Sequence, residues 1–259
     1  MGKTEKAYGI GWEDGKVSKN KYWVLLLKGK KPEVFTSWPE CEKKKRGASR
    51  AIDHGFRTEK EVTEFIDGKW RGNPISKEAE TWLEAYKARE GQLIQEIELD
   101  KSDELKLSSG EYPKYCVYVD GSFDPKSESY GFGAVFICDG KIETFYGSGK
   151  EKNLADKGCA AGELLACMEA VKHAVDLRLP EITIIYDSQI IQWAYYGCGD
   201  DMLTQAAGQY MYDIRDKIKI KVESIEGRSH EKGENSAKAL ADKRANSLAD
   251  MLARKGLGL

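Results

Sequence analysis

From Tyr115 onward the spacing of apolar and polar positions changes period several times, and each change marks an element. "YCVYVD", "YGFGAVFIC" and "KIETFYGS" read as strands, the last two meeting at the turn residues "DGK". The period then becomes helical in "AAGELLACMEAVKHAVDLRL", where Leu164, Leu165, Met168, Val171 and Val175 line one side. A strand "ITIIYD" follows, then a short helix in "SQIIQWAYYG" and a longer one in "LTQAAGQYMYDIRDKI". A strand "KIKVESIEG" and a final helix in "SAKALADKRANSLADMLARK" complete the pattern. The order β-β-β-α-β-α-α-β-α predicts an α/β domain with a mixed sheet and helices packed on its faces.

The amino-terminal part is smaller. "KYWVLLLKGKKPEVFTSW" predicts two strands joined by "KGKKP", and "SWPECEKKKRG" opens a helix with Ser37 as N-cap and Pro39 in the first turn. A second helix begins at Thr58, with Val62, Phe65 and Ile66 on its apolar face. These elements make a small α+β domain over 1–70. Residues 71–112 have polar ends carrying Gly and Pro and a helical middle, with Ser76 as cap and Trp82, Leu83 and Tyr86 at helical spacing. That stretch predicts a partly helical, partly mobile linker, leaving 113–259 as the α/β domain.

With 259 residues and 41% hydrophobic composition the chain can bury a core. No apolar run approaches the roughly 18 residues of a membrane span, and "MGKTEKAYGI" lacks the hydrophobic region of a secretory signal. A soluble, cytoplasmic protein without membrane contact is expected. The six cysteines contain no CxxC pair and no zinc-ligand spacing with histidine, so reduced, buried thiols are expected. Net charge is −2, but residues 1–70 carry 16 Lys+Arg against 11 Asp+Glu, and the remainder carries 25 against 32. A basic module can hold a polyanion, and an acidic one needs cations before a polyanion can approach.

The acids give that need a place. Both "YCVYVD" and "ITIIYD" are β-rich runs that stop on an aspartate, Asp120 and Asp187, and strand ends are where α/β sheets gather functional groups. An Asp-Gly turn explains one such ending, but two are more than turns account for. Glu163 stands in the first turn of the main helix among small and apolar neighbours, where it either opposes the helix dipole or seeks a partner. Asp242 lies in the last helix among alanines, and His230 precedes it in the loop "GRSHEKGEN". Four carboxylates in one crevice repel one another and call for divalent cations. Oxygen ligands in this number suit Mg²⁺ or Mn²⁺, and two such ions about 3.5–4 Å apart are a common apparatus for attack on a phosphodiester.

"YVDGS", "GELLA", "IYDS" and "ADKRAN", in this order and spacing, resemble the type-1 ribonuclease H family, in the branch with an amino-terminal hybrid-binding (viroplasmin-like) domain. The resemblance implies a ribonuclease H-like fold, with a mixed five-stranded sheet flanked by helices. It also implies endonucleolytic cleavage of the RNA strand of RNA–DNA hybrids by two metal ions, leaving 5′-phosphate and 3′-hydroxyl ends. The family's acids match Asp120, Glu163, Asp187 and Asp242, and its loop histidine matches His230. Asp120 would bridge both ions, Asp187 would complete one site, Glu163 and Asp242 would flank the other, and His230 would assist proton movement or product departure. Gly121, Ser122 and Glu163 would read the ribose 2′-hydroxyl. In the amino-terminal domain, "KGKKPEVFTSWPEC" and "GFRTEKEV" carry the resemblance. Trp38 would stack on the DNA sugar face, Lys28, Lys30 and Lys31 would meet phosphates, and Phe56 belongs to the same surface.

The chain also departs from the family pattern. Cys159, Ala160 and Ala161 stand where a polar residue is usual, and His230 and Asp242 are 12 positions apart, more than expected. "AIDHGF" puts Asp53, His54 and Gly55 before Phe56, an acid that would weaken phosphate binding. A monomer acting on RNA–DNA hybrid is expected, with double-stranded RNA as a further ligand of the first domain. The alternative is a non-catalytic hybrid- or double-stranded-RNA-binding protein that keeps the fold.

Overall fold

The chain folds as two units, Met1–Gly72 and Asn73–Leu259. The computed structural model describes residues 20–48, 51–70, 74–89, 95–99, 107, 110–226 and 237–259. In the first unit β1 (Tyr22–Leu26) lies between β2 (Glu33–Phe35) and β3 (Ile52–Phe56), antiparallel to both, with α1 (Trp38–Lys45) and α2 (Glu59–Ile66) completing the unit. Thr58 forms a full capping box. Its hydroxyl accepts from the Glu61 N–H at 3.2 Å, and the Glu61 carboxylate accepts from the Thr58 N–H at 3.0 Å. Such caps contribute about 1 kcal/mol each. Ser37 occupies the N-cap position of α1, but its side chain makes no capping bond there. Strand β3 escapes a periodicity reading because Asp53, His54 and Gly55 interrupt the apolar alternation.

In the second unit α3 (Lys77–Lys87) precedes β4 (Gln95–Glu96), β5 (Tyr115–Asp124), β6 (Ser129–Cys138) and β7 (Lys141–Gly149). A single turn, α4 (Lys152–Ala155), leads to α5 (Cys159–Asp176) and β8 (Glu181–Tyr186). Then come α6 (Gln189–Tyr195), α7 (Met202–Asp213), β9 (Lys219–Ser224) and α8 (Ala237–Gly256). The sheet runs β4-β7-β6-β5-β8-β9, with β5, β6 and β7 antiparallel and β5, β8 and β9 parallel. The expected mixed architecture is present, and its five long strands gain a two-residue strand at one edge.

Alternation along β5 assigns the two faces. Val117 and Val119 pack in the core cluster that contains Leu164, Leu165 and Met168 of α5. Cys116 and Tyr118 pack with Ala245, Leu248, Ala249 and Leu252 of α8. The helix expected within 71–112 forms as α3 and belongs to the core of this unit, with Ala79, Trp82, Leu83 and Tyr86 all buried. Ser76 caps it, accepting from the Ala79 N–H at 3.2 Å, and the Tyr86 hydroxyl donates to buried Glu169 at 2.9 Å. Burying each of these large side chains is worth about 1.5–3 kcal/mol.

Three expectations need correction. Strand β5 does not stop at Asp120: it continues to Asp124, with Asp120 opposite Gly133 and Gly121 opposite Phe132. The Asp-Gly pair therefore sits inside the ladder, and the chain reverses at 125–128. Glu163 is not in the first turn of its helix, because α5 already begins at Cys159. That position removes the helix-dipole explanation for its charge. All six cysteines are free, but Cys159 is exposed and Cys138 and Cys198 are half-buried, so only Cys41, Cys116 and Cys167 meet the expectation of burial.

Candidate active site

Sheet register explains why two of the acids meet. Parallel strands β5 and β8 pair Tyr118 with Ile185, and two residues further along each chain stand Asp120 and Asp187. Both therefore emerge toward the same end of these two neighbouring strands. Glu163 arrives from α5, and Asp120, Glu163 and Asp187 offer carboxylate oxygens that all lie within 4.8 Å of one another. Their environments differ: Asp187 is exposed, Asp120 half-buried, and Glu163 only 3% exposed.

Gly121 makes this approach possible. A Cβ at position 121 would lie 2.1 Å from the Cys159 carbonyl oxygen and 2.5 Å from the Glu163 amide nitrogen. Both obstacles are backbone, so the helix carrying Glu163 can sit against the strand only without a side chain there. Gly121→Ala is expected to destabilise the protein by about 1–3 kcal/mol, read as a lowered Tm in thermal denaturation. An unchanged Tm would mean that α5 is free to retreat from β5.

Burial is the main cause that pushes the Asp120 carboxyl up to about 7; neighbouring Asp187 adds to it, and the Gly121 N–H, donating to Asp120 Oδ1 at 2.7 Å, opposes it. Burial likewise raises Glu163 to about 8. A hydrogen bond with Ser188 opposes that rise, while the charges of Asp187 and Asp120 reinforce it. Among the described residues, Glu163 Oε1 is buried with no hydrogen-bond partner. A buried, unpartnered carboxylate oxygen beside two more carboxylates is a site short of positive charge. The donors are all oxygens, which fits a hard divalent cation.

Asp242, the expected fourth acid, is not brought into this group. Asp242 is fully buried, accepts a hydrogen bond from the Tyr118 hydroxyl at 2.5 Å, and lies outside the carboxylate group. One and two turns later, about 6 and 12 Å along a helix axis, α8 presents different residues to the acids. Asn246 Nδ2 donates to Asp187 Oδ2 at 3.2 Å, and the charge of Asp250 acts on Asp120. Gly133, the ladder partner of Asp120, lets this helix close in, since a Cβ there would lie 2.2 Å from the Ala249 carbonyl oxygen. The tripeptide Leu-Ala-Asp occurs twice in the helix, at 240–242 and 248–250. Asp242, Asn246, Asp250 and Arg254 all recur at a spacing of four, so helical spacing does not choose between the two copies.

His230 lies outside the described residues. In the first unit Lys28, Lys30 and Lys31 are exposed in and after the turn between β1 and β2. Trp38 is half-buried, packs against the cluster of Leu25, Leu27 and Cys41, and has Trp23 at a ring-centroid distance of 6.2 Å. Phe56 does not offer its ring to a ligand: it is 2% exposed and packs with His54, Phe65 and Trp70. Nor does Asp53 repel phosphates, because it is buried and its carboxylate is neutralised by Lys45. Gly121 and Ser122 are half-buried in β5, beside Asp120.

The family model described as the ribonuclease H1 N-terminal domain matches residues 26–66. Among curated proteins, none matches the chain. Solved structures with some likeness include ribonuclease H1 from the halophilic archaeon Halobacterium salinarum NRC-1, at 20% identity and a TM-score of 0.36, covering 56% of this chain and 98% of that one. Another is the N-terminal RNase H domain of rv2228c from Mycobacterium tuberculosis, solved as a fusion with maltose binding protein. It has 17% identity and a TM-score of 0.38, and covers 56% of this chain and 94% of that one. At these scores the structural likeness carries no chemistry over to this chain. The likeness to a known family therefore rests on residues 26–66, which are similar to a ribonuclease H1 N-terminal domain.

Proposed function

We propose that the second unit is a metal-dependent endonuclease that hydrolyses the RNA strand of RNA–DNA hybrids, leaving 5′-phosphate and 3′-hydroxyl ends, while the first unit holds the hybrid. The observation that carries this reading is the convergence of Asp120, Glu163 and Asp187 from three separate elements, with one buried Glu163 oxygen left unpartnered. The ribonuclease H1 N-terminal domain at residues 26–66 supports the choice of nucleic acid.

Asp120, Glu163 and Asp187 would hold Mg²⁺ or Mn²⁺, two ions in all, with Asp250 taking the place expected of Asp242. Divalent ions held here supply charge stabilisation for in-line attack of water on a phosphodiester. Asp120, whose Oδ1 accepts from the Gly121 N–H, would be a ligand of both ions. Gly121 and Ser122, on the strand beside it, would read a ribose 2′-hydroxyl, the group that marks one strand as RNA. In the first unit Lys28, Lys30 and Lys31 would meet backbone phosphates and Trp38 a sugar face, contacts that grip without reading sequence. His230 would serve proton movement or product departure.

The test is a hybrid with end-labelled RNA, incubated with the purified whole chain in Mn²⁺ or Mg²⁺ and in EDTA. Cleavage of the RNA strand alone, dependent on metal and lost in Asp120→Asn, is the expected result. Metal-dependent binding of hybrid without any strand scission would overturn the reading.

A further inference from the structure

We infer that Arg254 is a built-in counter-ion of the acid crevice, holding Asp250 by both carboxylate oxygens and competing with a divalent cation for that carboxylate. The inference rests on the metal-binding reading proposed above and assigns a role to a residue outside the carboxylate group. Arg254 Nε lies 3.1 Å from Asp250 Oδ1, and its Nη2 lies 3.0 Å from Oδ2. This two-pronged arrangement uses both oxygens that a metal would need.

The pair stands one turn beyond Asn246, which already donates to Asp187, so the same ridge of α8 reaches two of the acids. The guanidinium is also close enough to favour the charged form of Asp120. A cation drawn to Asp120, Glu163 and Asp187 can therefore recruit Asp250 only by taking it from Arg254. Because a guanidinium stays protonated at every working pH, proton concentration cannot switch off this competition.

The strength of the competition follows from exposure. The side chains of Asp250 and Arg254 are 39% and 60% exposed, so water and salt weaken their attraction. An exposed pair of this kind alters an equilibrium by about two- to fivefold. The arrangement therefore lowers metal affinity modestly without blocking the site. It also leaves a mobile cation beside the reacting phosphate once Asp250 has turned to the metal.

Mn²⁺ titrated calorimetrically into the whole chain at low salt tests this. Arg254→Gln is expected to bind Mn²⁺ about two- to fivefold more tightly than the parent, with the gain fading as salt is raised. In an Asp250→Asn background the same substitution is expected to change affinity by less than about 1.5-fold, since the contested carboxylate is gone. Unchanged or weaker Mn²⁺ binding by Arg254→Gln, or an equal gain in the Asp250→Asn background, would overturn the role of Arg254 alone. A parent chain that takes up no Mn²⁺ would remove the metal-binding reading together with it.

Discussion

Asp250→Asn is expected to reduce metal-dependent RNA cleavage by at least about 100-fold, the scale on which removing one electrostatic group from a reacting centre is felt. Its effect on folding should be small, within about 1 kcal/mol, because the bond it loses to Arg254 is an exposed ion pair. Asp242→Ala should do the reverse. Asp242 is fully buried and accepts from the Tyr118 hydroxyl, so truncation removes a hydrogen bond within the core and costs about 1–3 kcal/mol of stability. Once assayed below its lowered Tm, the variant should still cut. Paired cleavage rates and denaturation curves for the two proteins decide the matter. A fully active Asp250→Asn beside an inactive but folded Asp242→Ala would return the fourth ligand to position 242.

In EDTA the protein should become less stable as pH rises from about 4 to 8. Asp120 and Glu163 have carboxyls raised from 3.8 and 4.5 to about 7 and about 8. Between roughly pH 4 and pH 8 the folded chain therefore keeps protons that the unfolded chain has released, and the slope of stability against pH is negative. At about 1.4 kcal/mol per pKa unit, the loss amounts to several kcal/mol over that window, with the share of half-buried Asp120 reduced by the solvent around it. Mn²⁺ should reverse the trend, since its affinity grows as those protons leave. Thermal melts across pH, with EDTA and with Mn²⁺, measure both slopes, and Asp120→Asn should flatten the first. A Tm that climbs with pH in EDTA would show that the carboxylates are not in mutual conflict.

The readable parts of the sequence were those where a single period governs a whole element. The apolar stripe of α5 and the run "ITIIYD" place Glu163 and Asp187 on the right elements, because burial on one face leaves a repeating mark. Asp120 is found for the same reason, although its strand outlasts the pattern. Beyond Val119 the ladder is maintained by backbone pairing to Gly133 and Phe132, which leaves no apolar signal. The choice between two Leu-Ala-Asp copies in α8 depends on which turn of the helix faces Asp120. That is set by close contact between Gly133 and Ala249, a tertiary fact with no local mark. In the first unit, Asp53 looked hostile to phosphates only while its partner Lys45, eight residues earlier on a different element, was unseen.

Helix α3 changes where the second unit begins as a physical object. Trp82, Leu83 and Tyr86 close one side of its core, and Tyr86 supplies the hydroxyl that meets the otherwise buried Glu169. A fragment cut at the start of β5 would therefore open a hydrophobic seam along α7 and leave an acid stranded on α5, six residues from Glu163. The smallest piece that keeps the acid crevice properly backed starts upstream of Ser76. Evolutionary shuffling or laboratory trimming of this protein has to carry α3 along with the sheet.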